Sequence, residues 1–303
     1  MENDLESRVR NTLADASLQA AVYSGTGLFI RKRQAVVNRD VFPEYQDLRE
    51  RARALKEHAL ANLDVYLEKF ENNVTAHGGR VVWCRDAAEA NEFIVRLARE
   101  KRARLLVKSK SMTTEEIGLN KHLEKAGLEV VETDLGEYIV QLAESHPYHI
   151  VVPALNMTRY DIADLFSRKL GIPRETVPEK QTQIARGVLR RKFLTADIGI
   201  SGANFLVADS GAVVLVTNEG NGRMTSTLPK VHVAIAGIEK IIPRAQDLTV
   251  FLKLLGRSAT GQPLTVYTSI LSGPRRPGEV DGPEEFYVVL LDNGRTRILS
   301  DSN

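Results

Sequence analysis

The sequence predicts an α/β fold: a mostly parallel sheet flanked by helices, with an N-terminal helical arm in front. Three observations carry this. Short apolar runs alternate with stretches of helix length, the rhythm of strand–helix–strand crossover units. Residues 1–76 instead repeat their apolar side chains every three or four positions. The chain has 303 residues, 43% apolar and 26% charged, which is enough to bury a large core without disulfides. The expected division is a helical arm and long helix over 1–76 and an α/β core over 77–303.

Each element has its own signal. Leu5, Val9, Leu13 and Ala16 recur at helical spacing, and Ser24-Gly25-Thr26-Gly27 is expected to break that arm. After Pro43 one long helix is expected, since Leu48, Ala52, Leu55, Ala59, Leu63, Tyr66, Phe70 and Val74 form a single stripe that His77-Gly78-Gly79 ends. Arg80–Cys84 reads as a strand, and Asp86 as the cap of a helix over 87–101. Arg104–Lys108 is the next strand, followed by a helix from about Thr114 to Ala126. Leu128–Val131 and Tyr148–Val152 are the third and fourth strands. Residues 158–195 read as helical, divided by Pro173 and Pro178. Asn204–Ala208 and Ala212–Val216, joined by Asp209-Ser210-Gly211, read as a hairpin. Strands at 230–236, 264–267 and 286–291, a helix around 247–255 and a Gly/Pro-rich loop over 272–283 complete the chain.

Composition excludes several classes. With 41 basic and 39 acidic residues the net charge is +2, so there is no general drive toward nucleic acid. The start, MENDLESRVRN, is polar and acidic, unlike a signal peptide. No window is apolar enough for a transmembrane segment, so a cytoplasmic protein is expected. Cys84 is the single cysteine, so no metal or iron–sulfur site can be built on thiolates of this chain alone. Cys84 itself reads as buried and inert. His146 and His149 lack a ligand set, and His232 reads as a core histidine.

Four stretches can carry chemistry. Lys108-Ser109-Lys110-Ser111 sits where a strand gives way to a helix, with Thr113 and Glu116 spaced as a capping box. Two lysines and two serines at a sheet's carboxyl edge suit a small carboxylate or another anionic ligand. The plainer reading is a capped helix with solvated lysines. Asn218-Glu219-Gly220-Asn221-Gly222-Arg223 follows five apolar residues. Asn and Gly favour turns, but a turn is indifferent to Glu219, which at a strand end can act as nucleophile, base or ligand. Ile198-Gly199-Ile200-Ser201-Gly202-Ala203-Asn204 places two glycines around a serine, a sign of close backbone approach or simply a bend. Asp292-Asn293-Gly294-Arg295 reads as a hairpin turn whose Arg295 pairs with an acid or binds an anion. The ends of the 104–108 and 212–216 strands are expected to meet near one pocket, with Lys108 and Glu219 on the same face.

The run TADIGISGANFLVADSGAVVLVTNEGNGRMTSTLPKVHVAIAGIEKIIP, followed by YTSILSGPRRPGEVDGPEEFYVVLLDNGR and joined by VKSKSMTTEEIGLN, resembles the LUD-domain family. Within it the chain is most similar to the lactate utilization B branch, the iron–sulfur subunits of bacterial L-lactate oxidation systems. The resemblance implies a fold similar to ribose-phosphate isomerases, glucosamine-phosphate deaminases and CoA transferases. It implies electron transport within an oxidoreductase complex, with lactate utilization proteins A and C as partners. It places Glu219, beside Asn218, where CoA transferases carry their nucleophilic glutamate. It also implies [4Fe-4S] clusters on a ferredoxin-like segment that longer family members add beyond this stretch, so the chain is expected to be an excised domain, the favoured reading, or a natural short member without its own redox centre. Two functions follow, a non-autonomous subunit of lactate oxidation or a stand-alone acyl/CoA-transferase-like or isomerase-like enzyme using Glu219; a third, plainer reading is a scaffold with Asn218–Arg223 as an interface turn.

Overall fold

The computed structural model describes residues 4–148 and 152–301. The expected strand at 148–152 has His149, Ile150 and Val151 outside the described residues, as are Met1–Asn3, Ser302 and Asn303. The chain forms two compact units: residues 1–43, 135–187 and 256–263, and residues 44–134, 188–255 and 264–303.

The first unit is helical. Its N-terminal helices run Asp4–Ala14 and Ala16–Val37. The break lies at Asp15, not at the glycines: the Asp15 carboxylate accepts from Leu18 N–H at 3.0 Å and caps the second helix. Gly25 stays inside that helix because a Cβ there would run into Leu155 Cδ1. Local capping therefore outweighs the helix-breaking tendency of Gly25 and Gly27. The Arg159–Leu170 helix starts at a Thr158/Asp161 capping box and ends at Gly171, φ +67°.

The second unit holds every strand among the described residues. In chain order these are β1 Arg80–Cys84, β2 Leu105–Lys108, β3 Glu129–Glu132, β4 Ile198–Ser201, β5 Phe205–Val207, β6 Ala212–Thr217, β7 Val231–Gly237, β8 Ile241–Ile242, β9 Tyr267–Leu271 and β10 Glu285–Leu291. Six of them form one parallel sheet in the order β1-β10-β7-β4-β2-β3. The other four form a smaller sheet, β8-β5-β6-β9.

The period-two alternation of the central strands divides the core. Val231, Val233 and Ile235 of β7, with Tyr287, Val289 and Leu291 of β10, pack with Ile94 and Leu97 of the Ala87–Glu100 helix and with Leu119 and Leu123. The alternate residues Ala234, Ala236, Phe286, Val288 and Leu290 pack with Phe70 and Val74, and with Leu206, Val213 and Ile241 of the smaller sheet. The large sheet is thus buried on both faces, which explains its near-continuous apolar strands.

Several expected elements are divided or moved. The long helix after Pro43 is two, Tyr45–Ala61 and Leu63–Ala76, interrupted where Asn62 leaves helical geometry at φ −128°. The helix expected over 114–126 is also two, Met112–Glu116 and Leu119–Lys125, because Gly118 turns left-handed at φ +62°. The 205–217 hairpin forms, with Gly211 at φ +65°, and it lies in the smaller sheet. The strand expected at 264–267 begins at Tyr267 instead. Among the described residues, no helix is long and apolar enough to cross a membrane.

Candidate functional site

Because all six strands of the large sheet run the same way, their carboxyl ends share one edge. Each strand delivers a short polar segment there: Arg85, Lys108–Ser111, Glu132–Asp134, Ser201-Gly202, Glu239 and Asp292–Arg295. This is the edge where open α/β sheets bind ligands.

Lys108 ends β2 and is 1% exposed. Its ammonium lies 2.7 Å from Glu132 and 3.0 Å from Glu115, and it donates to Thr114 Oγ1 at 2.8 Å. Burial opposes the charge, but the two carboxylates outweigh it and raise the Lys108 pKa. Asn120 donates to Glu132 at 2.7 Å. Lys108 is therefore held by an internal cluster.

The next residues complete that corner. Ser109 is buried and donates its N–H to the Ile200 carbonyl. Ser111, not Thr113, caps the following helix: its hydroxyl accepts from Thr114 N–H at 3.3 Å, so the expected Thr113/Glu116 box does not form. Gly202 lies against this cap, since a Cβ there would sit 2.7 Å from Ser111 Oγ. Gly199 has a similar reason: a Cβ would overlap the Thr225 carbonyl oxygen. The two glycines admit close approach, one of a serine and one of a helix.

Glu219 follows β6. The turn expected there forms over Asn218–Gly220, but its second half is a helix, Asn221–Thr227, and Gly220 has φ −75°. Gly222 is needed for space, because a Cβ would meet Thr217 Cγ2 at 3.0 Å. Asn204 fixes the strand by accepting from Val216 N–H at 2.8 Å, and Asn218 accepts from Val266 N–H at 3.3 Å. Glu219 is exposed at its outer face, yet the surrounding protein strips enough water from its carboxyl group to raise its pKa. Asp134 adds like-charge repulsion, and Lys110 opposes both. The ends of β2, β3 and β6 thus meet electrostatically through Lys110, Asp134 and Glu219. Thr133 Oγ1, just beyond β3, and Thr225 Oγ1, on the Asn221–Thr227 helix, lie 3.4 Å apart. Asn221 is 5% exposed, and its Oδ1 has no hydrogen-bond partner among the described residues. Arg223 is exposed on the same short helix.

Arg295 sits farther along the edge, pairing with Glu116 at 2.9 Å and Glu239 at 2.5 Å. Its guanidinium holds Glu116 below the usual carboxylate range. Asn293 and Gly294 are left-handed, φ +45° and +89°, as the sequence signals, but they lead into a helix, Arg295–Leu299, and not a returning strand.

Sequence reasoning missed Glu132 and Asp134, although Glu132-Thr133-Asp134 ends a strand as Lys108-Ser109-Lys110 does. It also missed that His232 Nε2 lies 2.8 Å from Ser201 Oγ, both side chains being buried. Burial pushes the His232 pKa down to about 3, so the ring is neutral. Cys84 is buried, with its thiol pushed up to about 11 chiefly by burial. A groove of about 620 Å³ opens at the β1 and β10 ends of the edge, and neither Lys108 nor Glu219 lines it. The pocket expected beside those two residues is thus not where this groove lies.

Comparison with known proteins adds four findings. The model of a family described as the LUD domain matches residues 67–291. The uncharacterized electron transport protein YkgF of Escherichia coli K12 is 44% identical over 98% of this chain and 62% of its own length. Lactate utilization protein B of Macrococcus caseolyticus is 45% identical, over 96% and 61%. A DUF162 family protein of Deinococcus radiodurans, known from its crystal structure, shares 12% identity over 76% of this chain and 98% of that one, with a TM-score of 0.42. The chain spans about three fifths of the length of the curated relatives it matches.

Proposed function

The chain belongs to the LUD-domain family, and on that premise we propose that it is the LUD domain of an iron–sulfur electron-transfer subunit in the oxidation of L-lactate to pyruvate. The names of its relatives, lactate utilization protein B and electron transport protein, support this reading. One cysteine cannot supply the thiolates of a [4Fe-4S] cluster, so these residues do not fit that group. The clusters belong to the longer family member or to partner subunits, lactate utilization proteins A and C.

The observation that carries the proposal is Glu219, a partly desolvated carboxyl group under the opposing charges of Asp134 and Lys110, two residues before the orphaned buried acceptor of Asn221. An α-hydroxy acid offers a carboxylate and a hydroxyl. Lys110 and Arg223 supply positive charge for the carboxylate. Asn221 Oδ1, an orphaned buried acceptor two residues after Glu219, suits a hydroxyl donor. Glu219, with its raised pKa, suits holding or taking up the proton of that hydroxyl.

The test uses a full-length family member assembled with its partners. Glu219→Gln should lower lactate-dependent acceptor reduction by about 100-fold or more, the range of a general base, with the complex intact. An unchanged rate would overturn the proposal.

The placement of Glu219 also favours a second reading, acyl transfer. Its carboxylate attacks an acyl-CoA thioester and releases the CoA thiolate. The thiolate then attacks the resulting anhydride, leaving a glutamyl thioester and a free acid. Acyl-CoA incubation and borohydride or hydroxylamine trapping, read by mass, would show an adduct in the parent chain and none in Glu219→Gln if this reading holds.

A further inference from the structure

We propose that the groove at the ends of β1 and β10 is a second binding site, one that takes a small organic cation with an apolar body. Its volume, about 620 Å³, lies in the range of small-molecule sites. The floor is apolar: Leu60, Leu63, Leu67, Ile238 and Leu290. The rim is acidic. Asp64, Glu68 and Glu71 recur at i, i+4 and i+7 on the Leu63–Ala76 helix, so they share one face, and Asp292 adds a fourth carboxylate.

Two of these carboxylates have structural work. Glu71 accepts from Trp83 Nε1 at 3.0 Å, and Asp292 accepts from Thr296 N–H and Oγ1 at 2.7 Å each. Asp64 and Glu68 are exposed and form no hydrogen bond or ion pair recorded among the described residues. The lining has a single basic residue, Arg85, and Glu89 engages its guanidinium at 2.7 Å. Four carboxylates thus face one guanidinium that is already paired.

Trp83 makes the groove selective. It is 49% exposed, a large apolar cost for a strand residue, and its hydrogen bond to Glu71 fixes the ring at the groove wall. An indole beside carboxylates attracts a cation and does nothing for an anion. An apolar floor with an acidic rim therefore fits an alkyl- or aryl-ammonium. This is the opposite charge to the carboxylate proposed at Glu219, and none of the residues is shared. The inference stands or falls apart from the lactate reading.

Trp83 is the chain's single tryptophan, so its emission reports the groove directly. The chain is titrated with phenethylammonium, with neutral 2-phenylethanol and with anionic 3-phenylpropionate as matched probes. The cation should change the emission saturably below about 10 mM, the range set by a ligand of this size. The two matched probes should bind at least several-fold more weakly. Asp64→Asn with Glu68→Gln should weaken the cation about fivefold while circular dichroism stays unchanged, because both side chains are exposed. No saturable change with the cation, equal binding of the three probes, or cation binding unaffected by the double variant would each overturn the proposal.

Discussion

Lys108 ends a strand of the large sheet, and Glu219 lies two residues beyond a strand of the smaller one. Their surroundings differ. Lys108 is 1% exposed and has two carboxylates within 3.0 Å, so its charge is matched inside the fold. Glu219 keeps an exposed face; burial raises its pKa, Asp134 adds repulsion and Lys110 opposes them. The first arrangement is closed and stabilises the fold only as a set. The second leaves a carboxyl group whose charged form the fold disfavours. Strand-end position alone does not mark a functional charge. The proposed role of Glu219 rests on a further property, a charge that is partly desolvated and incompletely neutralised.

The sharpest way to break this contrast is Lys108→Met. It removes the ammonium and leaves Glu132, 2% exposed, without that charge. Breaking a buried pair from one side costs about 3–5 kcal/mol, and denaturant unfolding of the chain should show a loss of that size. Adding Glu132→Leu should recover part of it. A loss under about 1 kcal/mol would mean that the cluster is not closed. Gly202→Ala is next. Its Cβ would press on Ser111, itself buried and held as a helix cap, and a loss of about 1–3 kcal/mol is expected in the same assay. The smallest effect has the opposite sign. A raised carboxyl pKa means that the fold disfavours ionised Glu219. Its stabilising contribution is full below the unfolded pKa and is lost as pH rises through the raised value. Glu219→Gln should then raise the melting temperature at pH 8 and match the parent at pH 4. The gain should stay below about 1 kcal/mol because solvent screens the group. A lowered melting temperature at pH 8 would show that Glu219 is stabilised in its charged form, as Lys108 is.

Sequence and structure agree where local pattern decides. Val-rich runs separated by amphipathic stretches became the parallel sheet and its helices, and Asp209-Ser210-Gly211 became a hairpin turn. They part where longer-range contacts decide. Asn-Gly chemistry at 218–223 pointed to a turn, yet Asn221–Thr227 is helical and packs where Gly199 makes room for Thr225. Ser-Gly-Thr-Gly at 24–27 pointed to a break, yet Gly25 is there for Leu155. At the site, Glu219, Asn221 and Lys110 were legible as polar residues at strand ends. That Lys108 is sealed by Glu132 was not, because the pairing of β2 with β3 brings together residues 24 positions apart. No spacing rule reports a partner supplied by a neighbouring strand.

The strand order has a consequence for how the chain is made. β10 lies between β1 and β7, so Arg80 pairs beside Tyr287. When β1 leaves the ribosome its only lateral neighbour in the sheet has not been synthesised. At roughly 5–20 residues per second, the intervening stretch of about 200 residues takes on the order of 10–40 s. For that time β1 and the first half of the apolar layer are a surface without a partner. Nascent chains stalled before residue 285 should therefore recruit chaperones, and chains released past residue 291 should not.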